Sequence, residues 1–133
     1  MAAVVVDTHA LVWYVESSPL LSGTALAAIQ AAVFQGDPIH VSTVSLVEIV
    51  YLTEKGRLPV DLIDRLWKLF QQGNTGLAPM PFTSDMADNV RRIPRAVVPD
   101  MPDRMIAATA LTLGVSLVTR DPQIQNSGIS WIW

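Results

Sequence analysis

Apolar residues along this chain fall into short β-branched runs and helical stripes that alternate from end to end. Ala2 to Asp7 is the first run, three valines leading into a carboxylate. A run this short and this apolar predicts a strand buried on both faces. His9 to Glu16 predicts a short helix, stopped near Ser17, Ser18 and Pro19. Ser22 has the placement of an N-cap for a second helix, Gly23 to Gln35, with Leu26, Ile29 and Val33 on one face. Gly36, Asp37 and Pro38 make a turn, and Ile39 to Ser42 is a second strand. A third helix runs from about Val44 to Lys55 and stops at Gly56. Asp61 opens a fourth helix to about Gln72; Leu62, Leu66 and Phe70 line one side, and Ile63 and Trp67 widen it. Leu77 to Phe82 is a third strand whose pairing is compromised by Pro79 and Pro81. Ser84 is expected to cap a helix to about Arg92, followed by an irregular loop from Ile93 to Pro102. Met105 to Leu113 is an apolar helix ended by Gly114; Val115 to Thr119 is a fourth strand, and Ile129 to Trp133 a short edge strand. This alternation predicts an α/β domain with a mainly parallel sheet of four or five strands covered on both faces. No repeat, low-complexity tract or linker interrupts it, so residues 1–133 are expected to form a single domain.

Composition narrows the picture. Half of the 133 residues are hydrophobic and 16% are charged, which places the chain among globular proteins. A domain of this length buries roughly two thirds of its unfolded surface. The net charge is −3 and the pI about 5.1, without the bulk basicity of many nucleic-acid binders. There is no cysteine, which excludes disulfides and thiolate metal sites. No stretch is long and apolar enough to span a membrane. The apolar start lacks a basic leader and is broken early by Asp7, so a cytoplasmic protein is expected.

Four carboxylates stand in apolar settings: Asp7 after the first strand, Glu48 within the third helix, Asp103 before the apolar helix and Asp121 after the fourth strand. Each has a structural alternative. Asp7 or Thr8 suits an N-cap. Ser45 and Glu48 have the spacing of a capping box. Asp103 suits a first helical turn, and Asp121 a turn before Pro122. Taken together, however, strand ends and the helix starts that follow them share one edge of a parallel sheet. Four anions about 5 Å apart repel by roughly 3 kcal/mol per pair at an effective dielectric near 20. Such a cluster calls for cations. Oxygen ligands alone favour Mg²⁺ or Mn²⁺, which activate water and stabilise charge on phosphoryl groups, as in nucleases. With these four set aside, eight acidic residues remain against nine basic ones.

Among the basic residues, Arg91, Arg92 and Arg95 cluster before the proline-rich loop, and Arg104 and Arg120 each adjoin a candidate ligand. They read either as substrate phosphate contacts or as a solvated face plus two salt bridges. Ser45 and Thr119 are candidate supports for a ligand carboxylate; the alternatives are a cap and a strand-end hydroxyl. His9, near Trp13, reads as structural.

Four segments carry a resemblance: DTHALVWYV at 7–15, VSTVSLVEIVYLTEKGRL at 41–58, DMPDRMIAATAL at 100–111 and LVTRD at 117–121. The chain resembles PIN-domain ribonucleases, and among them the VapC-type toxins of bacterial toxin–antitoxin pairs. The resemblance implies a three-layer α/β/α fold and a Mg²⁺-dependent endoribonuclease. It puts metal-binding carboxylates at Asp7, Glu48, Asp103 and Asp121. Asp100 matches a further acidic position, although Met101 here separates it from the proline that commonly follows directly. The resemblance also implies a cognate antitoxin laid over apolar grooves, a homodimer, and promoter DNA bound through the antitoxin. The second and fourth helices carry apolar residues beyond one buried face, among them Phe34, Trp67 and Phe70, which suits either a partner surface or a thick core.

Other classes fit less well. A receiver-like domain would want a lysine where Thr119-Arg120-Asp121 stands, and a haloacid-dehalogenase-type phosphatase an aspartate where His9 stands. A degenerate module that only binds RNA or a partner gains nothing from clustered anions.

Overall fold

The computed structural model describes residues 2–133. Its centre is strand β1 (Val4–Val6), hydrogen-bonded on both sides. All five strands are parallel, in the order β3-β2-β1-β4-β5. β2 is Ile39–Ser42, β3 Leu77–Met80, β4 Ser116–Val118 and β5 Trp131–Ile132. Val6 lies between Val41 of β2 and Val118 of β4 in register.

Side chains alternate across the sheet and divide the core into two layers. Val4 and Val6 point into one, packed by helices α1 (Thr8–Val15), α2 (Gly23–Gln35), α3 (Thr43–Glu54) and α4 (Leu62–Gln71). Val5 and Leu117 point into the other, filled by α6 (Met101–Leu113) and by Ile124 of the one-turn helix α7 (Pro122–Gln125). The remaining helix, α5 (Ser84–Asn89), runs on into a 3-10 turn at Val90–Arg92. The result is the three-layer α/β/α architecture expected.

The interrupted strand forms after all. Pro79 lies opposite Val41, and β3 is a sheet edge, where a missing N–H costs least. Other boundaries differ from expectation for local reasons. Ser42, not Ser45, caps α3, so Ser45 and Glu48 form no capping box. Thr83 rather than Ser84 caps α5. Helix α6 begins at Met101, four residues before the expected start, with Asp100 as its N-cap and Pro102 in its first turn, where no N–H is needed. On α2 the buried face is Ala25, Ile29 and Ala32; Leu26 is exposed and Val33 half-buried. Phe34 is 92% exposed and Trp67 46%, so neither thickens a core.

Candidate functional site

β1 and β4 are neighbours, but the chain leaves β1 towards β2 and reaches β4 only after β3. That reversal leaves a crevice at their carboxyl ends, where ligands of parallel α/β sheets bind. The crevice holds a cavity of about 420 Å³ whose lining includes Asp7, Glu48, Asp103 and Asp121. Four different elements thus bring the four singled-out carboxylates to one pocket.

Local chemistry fixes each of them. Asp7 follows β1 and is the N-cap of α1; its Oδ1 accepts from the Ala10 N–H at 2.8 Å. Capping and pocket lining are therefore compatible roles for one carboxylate. Burial raises its pKa, and the Thr119 hydroxyl and the Ala10 N–H pull it back. Thr119 is fully buried, and its Oγ1 also accepts from the Asp121 N–H at 3.1 Å. Asp121 caps α7 by accepting from the Gln123 N–H at 2.9 Å. Glu48 lies one turn into α3, and Thr8 donates to its Oε1 at 2.6 Å. Thr8 Oγ1 is also 2.9 Å from the buried Ser45 Oγ. Ser45, a candidate support in the sequence, therefore reaches Glu48 through Thr8, which the sequence offered only as a cap. Its one signal was a hydroxyl directly after the strand-end aspartate.

Asp103 is strongly perturbed. Desolvation, then the charges of Asp100, Asp121 and Glu48, push its pKa up to about 7. Glu48 is raised as well, chiefly by burial. Among the described residues none of the four carboxylates is ion-paired, and the charge of His9 only partly offsets the crowding at Asp7 and Glu48. Among the described residues the ion pairs are Arg65–Glu16 and Arg91–Asp88, both outside the pocket. Nor are any three acidic or imidazole groups drawn into a ready-made coordination shell among the described residues. The donor set, all carboxylate oxygen and mutually repelling, fits a hard divalent cation that would gather it.

The basic residues divide. Arg120 lines the pocket, with its guanidinium 4.6 Å from the centre of the Trp13 ring. Arg104 does not line it: its Nε and Nη2 donate to the carbonyls of Val90 and Ile93 at 2.9–3.1 Å. It ties α6 to the 3-10 turn, and neither Arg104 nor Arg120 forms the salt bridge that one of the two sequence readings offered. Arg91 pairs with Asp88, and Arg92 and Arg95 are exposed; none of the three lines the cavity. Asp100 is exposed outside it, accepting from the Asp103 N–H at 3.3 Å. His9 is no core residue; it is exposed at the pocket wall, 5.7 Å from Trp13.

Fold and pocket define a class of α/β domain that presents carboxylates at the switch point of a parallel sheet. The chain belongs to the PIN domain family, whose model matches residues 4–128. It is 29% identical over 126 residues to Ribonuclease VapC22 of Mycobacterium tuberculosis, across 95% of this chain and 92% of that protein. Two solved structures share the fold at low identity. One is VapBC2 from Rickettsia felis bound to a DNA fragment from their promoter: TM-score 0.72, 13% identity, 97% of this chain and 96% of that one. The other is a toxin–antitoxin complex from Klebsiella pneumoniae: TM-score 0.62, 17% identity, 98% and 96%.

Proposed function

We propose that this protein is a divalent-metal-dependent endoribonuclease, the toxin of a toxin–antitoxin pair, acting in the cytoplasm. One observation carries the reading: four carboxylates from four elements line one pocket and none is ion-paired. The relatives' names agree with it. Asp7, Glu48, Asp103 and Asp121 would hold one or two Mg²⁺ or Mn²⁺ ions. When bound, such an ion supplies an activated water and neutralises charge building on the scissile phosphoryl group.

The chain's own groups prepare for this. The Ala10 N–H fixes one oxygen of Asp7. Thr8 holds Glu48, and Thr119 links Asp7 to the backbone of Asp121. Burial and the neighbouring carboxylates push the Asp103 pKa up to about 7, and a bound cation would favour its ionised form. The partners proposed are an RNA substrate, a cognate antitoxin that covers apolar surface such as Phe34 and Trp67, and a second copy of the chain. Promoter DNA is reached only through the antitoxin. No helix of the described residues is long and apolar enough to cross a membrane.

The deciding experiment is RNA cleavage by antitoxin-free protein in Mg²⁺ or Mn²⁺ against EDTA, beside Asp7→Asn. Asparagine still caps a helix, so the variant should fold. Metal-dependent cutting that Asp7→Asn lacks is the expected result. Wild-type cutting rates from Asp7→Asn would remove Asp7 from the site.

A further inference from the structure

The pocket has an acidic side and a second side of different chemistry. Trp13, half-buried on α1, is at the junction. His9 approaches its ring at 5.7 Å with a 43° tilt, and Trp133 meets it edge-on at 5.8 Å. Arg120 sits over the ring at 4.6 Å. His9, Trp13 and Arg120 all line the same cavity as the carboxylates. Arg120 is exposed and is the one arginine of that lining, and its neighbour Asp121 is engaged in capping α7 rather than in an ion pair.

This arrangement has a purpose that packing does not supply. A carboxylate pocket repels a phosphodiester, so a strand entering it needs a fixed cation at the wall. An arginine held over an indole has lost much of its rotational freedom before any ligand arrives, while its outer N–H groups stay open to phosphate. The exposed His9 ring and the half-buried Trp13 beside it suit an unpaired base, because every base has a face to stack. A double helix keeps its bases stacked internally and gains nothing from such a wall.

We propose that His9, Trp13 and Arg120 form a subsite for one unpaired nucleotide next to the cleaved bond. Arg120 contacts its phosphate and the His9–Trp13 surface receives its base. Trp13 both contacts the base and positions Arg120. This rests on the ribonuclease reading and names the wall that orients its substrate.

The test uses a fluorescein-labelled, unstructured 20-nucleotide RNA, with binding by anisotropy in an Asp7→Asn background in Mg²⁺ and cleavage kinetics in the Asp7 protein. Arg120→Gln and Trp13→Leu should each weaken binding and raise KM about tenfold, with kcat changed far less. Arg120→Lys and Trp13→Phe should recover most of that loss, a rescue that a merely structural role would not show. A hairpin of the same composition should bind more weakly and lose little on Arg120→Gln. Trp13 packs against the core, so Arg120→Gln, at an exposed position, keeps the test independent of folding. Cleavage with unchanged KM and Kd in the variants overturns the subsite and leaves the nuclease standing. Binding that depends on Arg120 without any cleavage overturns the nuclease and leaves the subsite. Neither binding nor cleavage by the parent protein overturns both.

Discussion

Asp103 shows how far a single carboxylate departs from ordinary behaviour when three others face it. Its pKa of about 7 against an ordinary 3.8 means that the folded protein holds a proton there which the unfolded chain has released. Stability therefore falls as pH rises from about 4 to 7 and levels off above, with the protonated form favoured below. Asp103→Asn removes that titration. Melting temperatures in EDTA should show the variant more stable than wild type at pH 8, with the gap closing towards pH 5. A constant gap across that range would mean that Asp103 is not crowded. Millimolar Mn²⁺ at pH 8 should raise the wild-type melting temperature and leave the variant nearly unmoved. Glu48 is a milder case, raised by burial and steadied by Thr8, so its proton matters less to the balance.

Among the elements, the helix starts carry the site. Asp7, Asp100 and Asp121 each begin a helix as its cap, and Asp103 stands in the first turn of α6. For Asp7 and Asp121, capping and pocket lining looked like alternatives in the sequence and coexist in the structure, since a cap uses one carboxylate oxygen, whereas Asp100 caps α6 from outside the pocket. The three valines of β1, Ser22 before α2 and Gly36 after it were legible because each signal is local. Helix α7 was not, because Pro122-Gln123-Ile124-Gln125 is a single turn without periodicity. The early start of α6 was hidden by Pro102, which breaks a helix interior but suits its first turn. Neither reading of Arg104, phosphate contact or ion pair with Asp103, reached its actual place, because the side chain turns to two carbonyls fixed only by the tertiary fold. Arg104→Met should cost about 1–3 kcal/mol in urea unfolding, chiefly by leaving the Ile93 carbonyl without Arg104, since the Val90 carbonyl keeps the Ile93 N–H. It should leave KM for RNA unchanged; a raised KM would restore Arg104 to substrate contact.

For the whole molecule, one sheet separates two apolar layers, and both layers grip β1. Leu11 belongs to one layer and Ile106 to the other, each fully buried. Leu11→Ala and Ile106→Ala should each cost about 2–5 kcal/mol. If residues 1–133 fold as one domain, each variant should still unfold in a single transition, with fluorescence and circular dichroism coinciding. Two separated transitions would mean that the layers are independent units.

β1 pairs with β2 through residues 4 and 39, and with β4 through residues 4 and 116. The second pairing sets a clock on synthesis. A ribosome has to make most of the chain before the strand that flanks β1 on its other side exists. Until then Asp7 has no Asp121 opposite and Val5 has no Leu117 beside it. A long-range pairing of this kind also closes slowly. The pocket therefore lacks one of its four carboxylates until the chain has been made as far as Asp121.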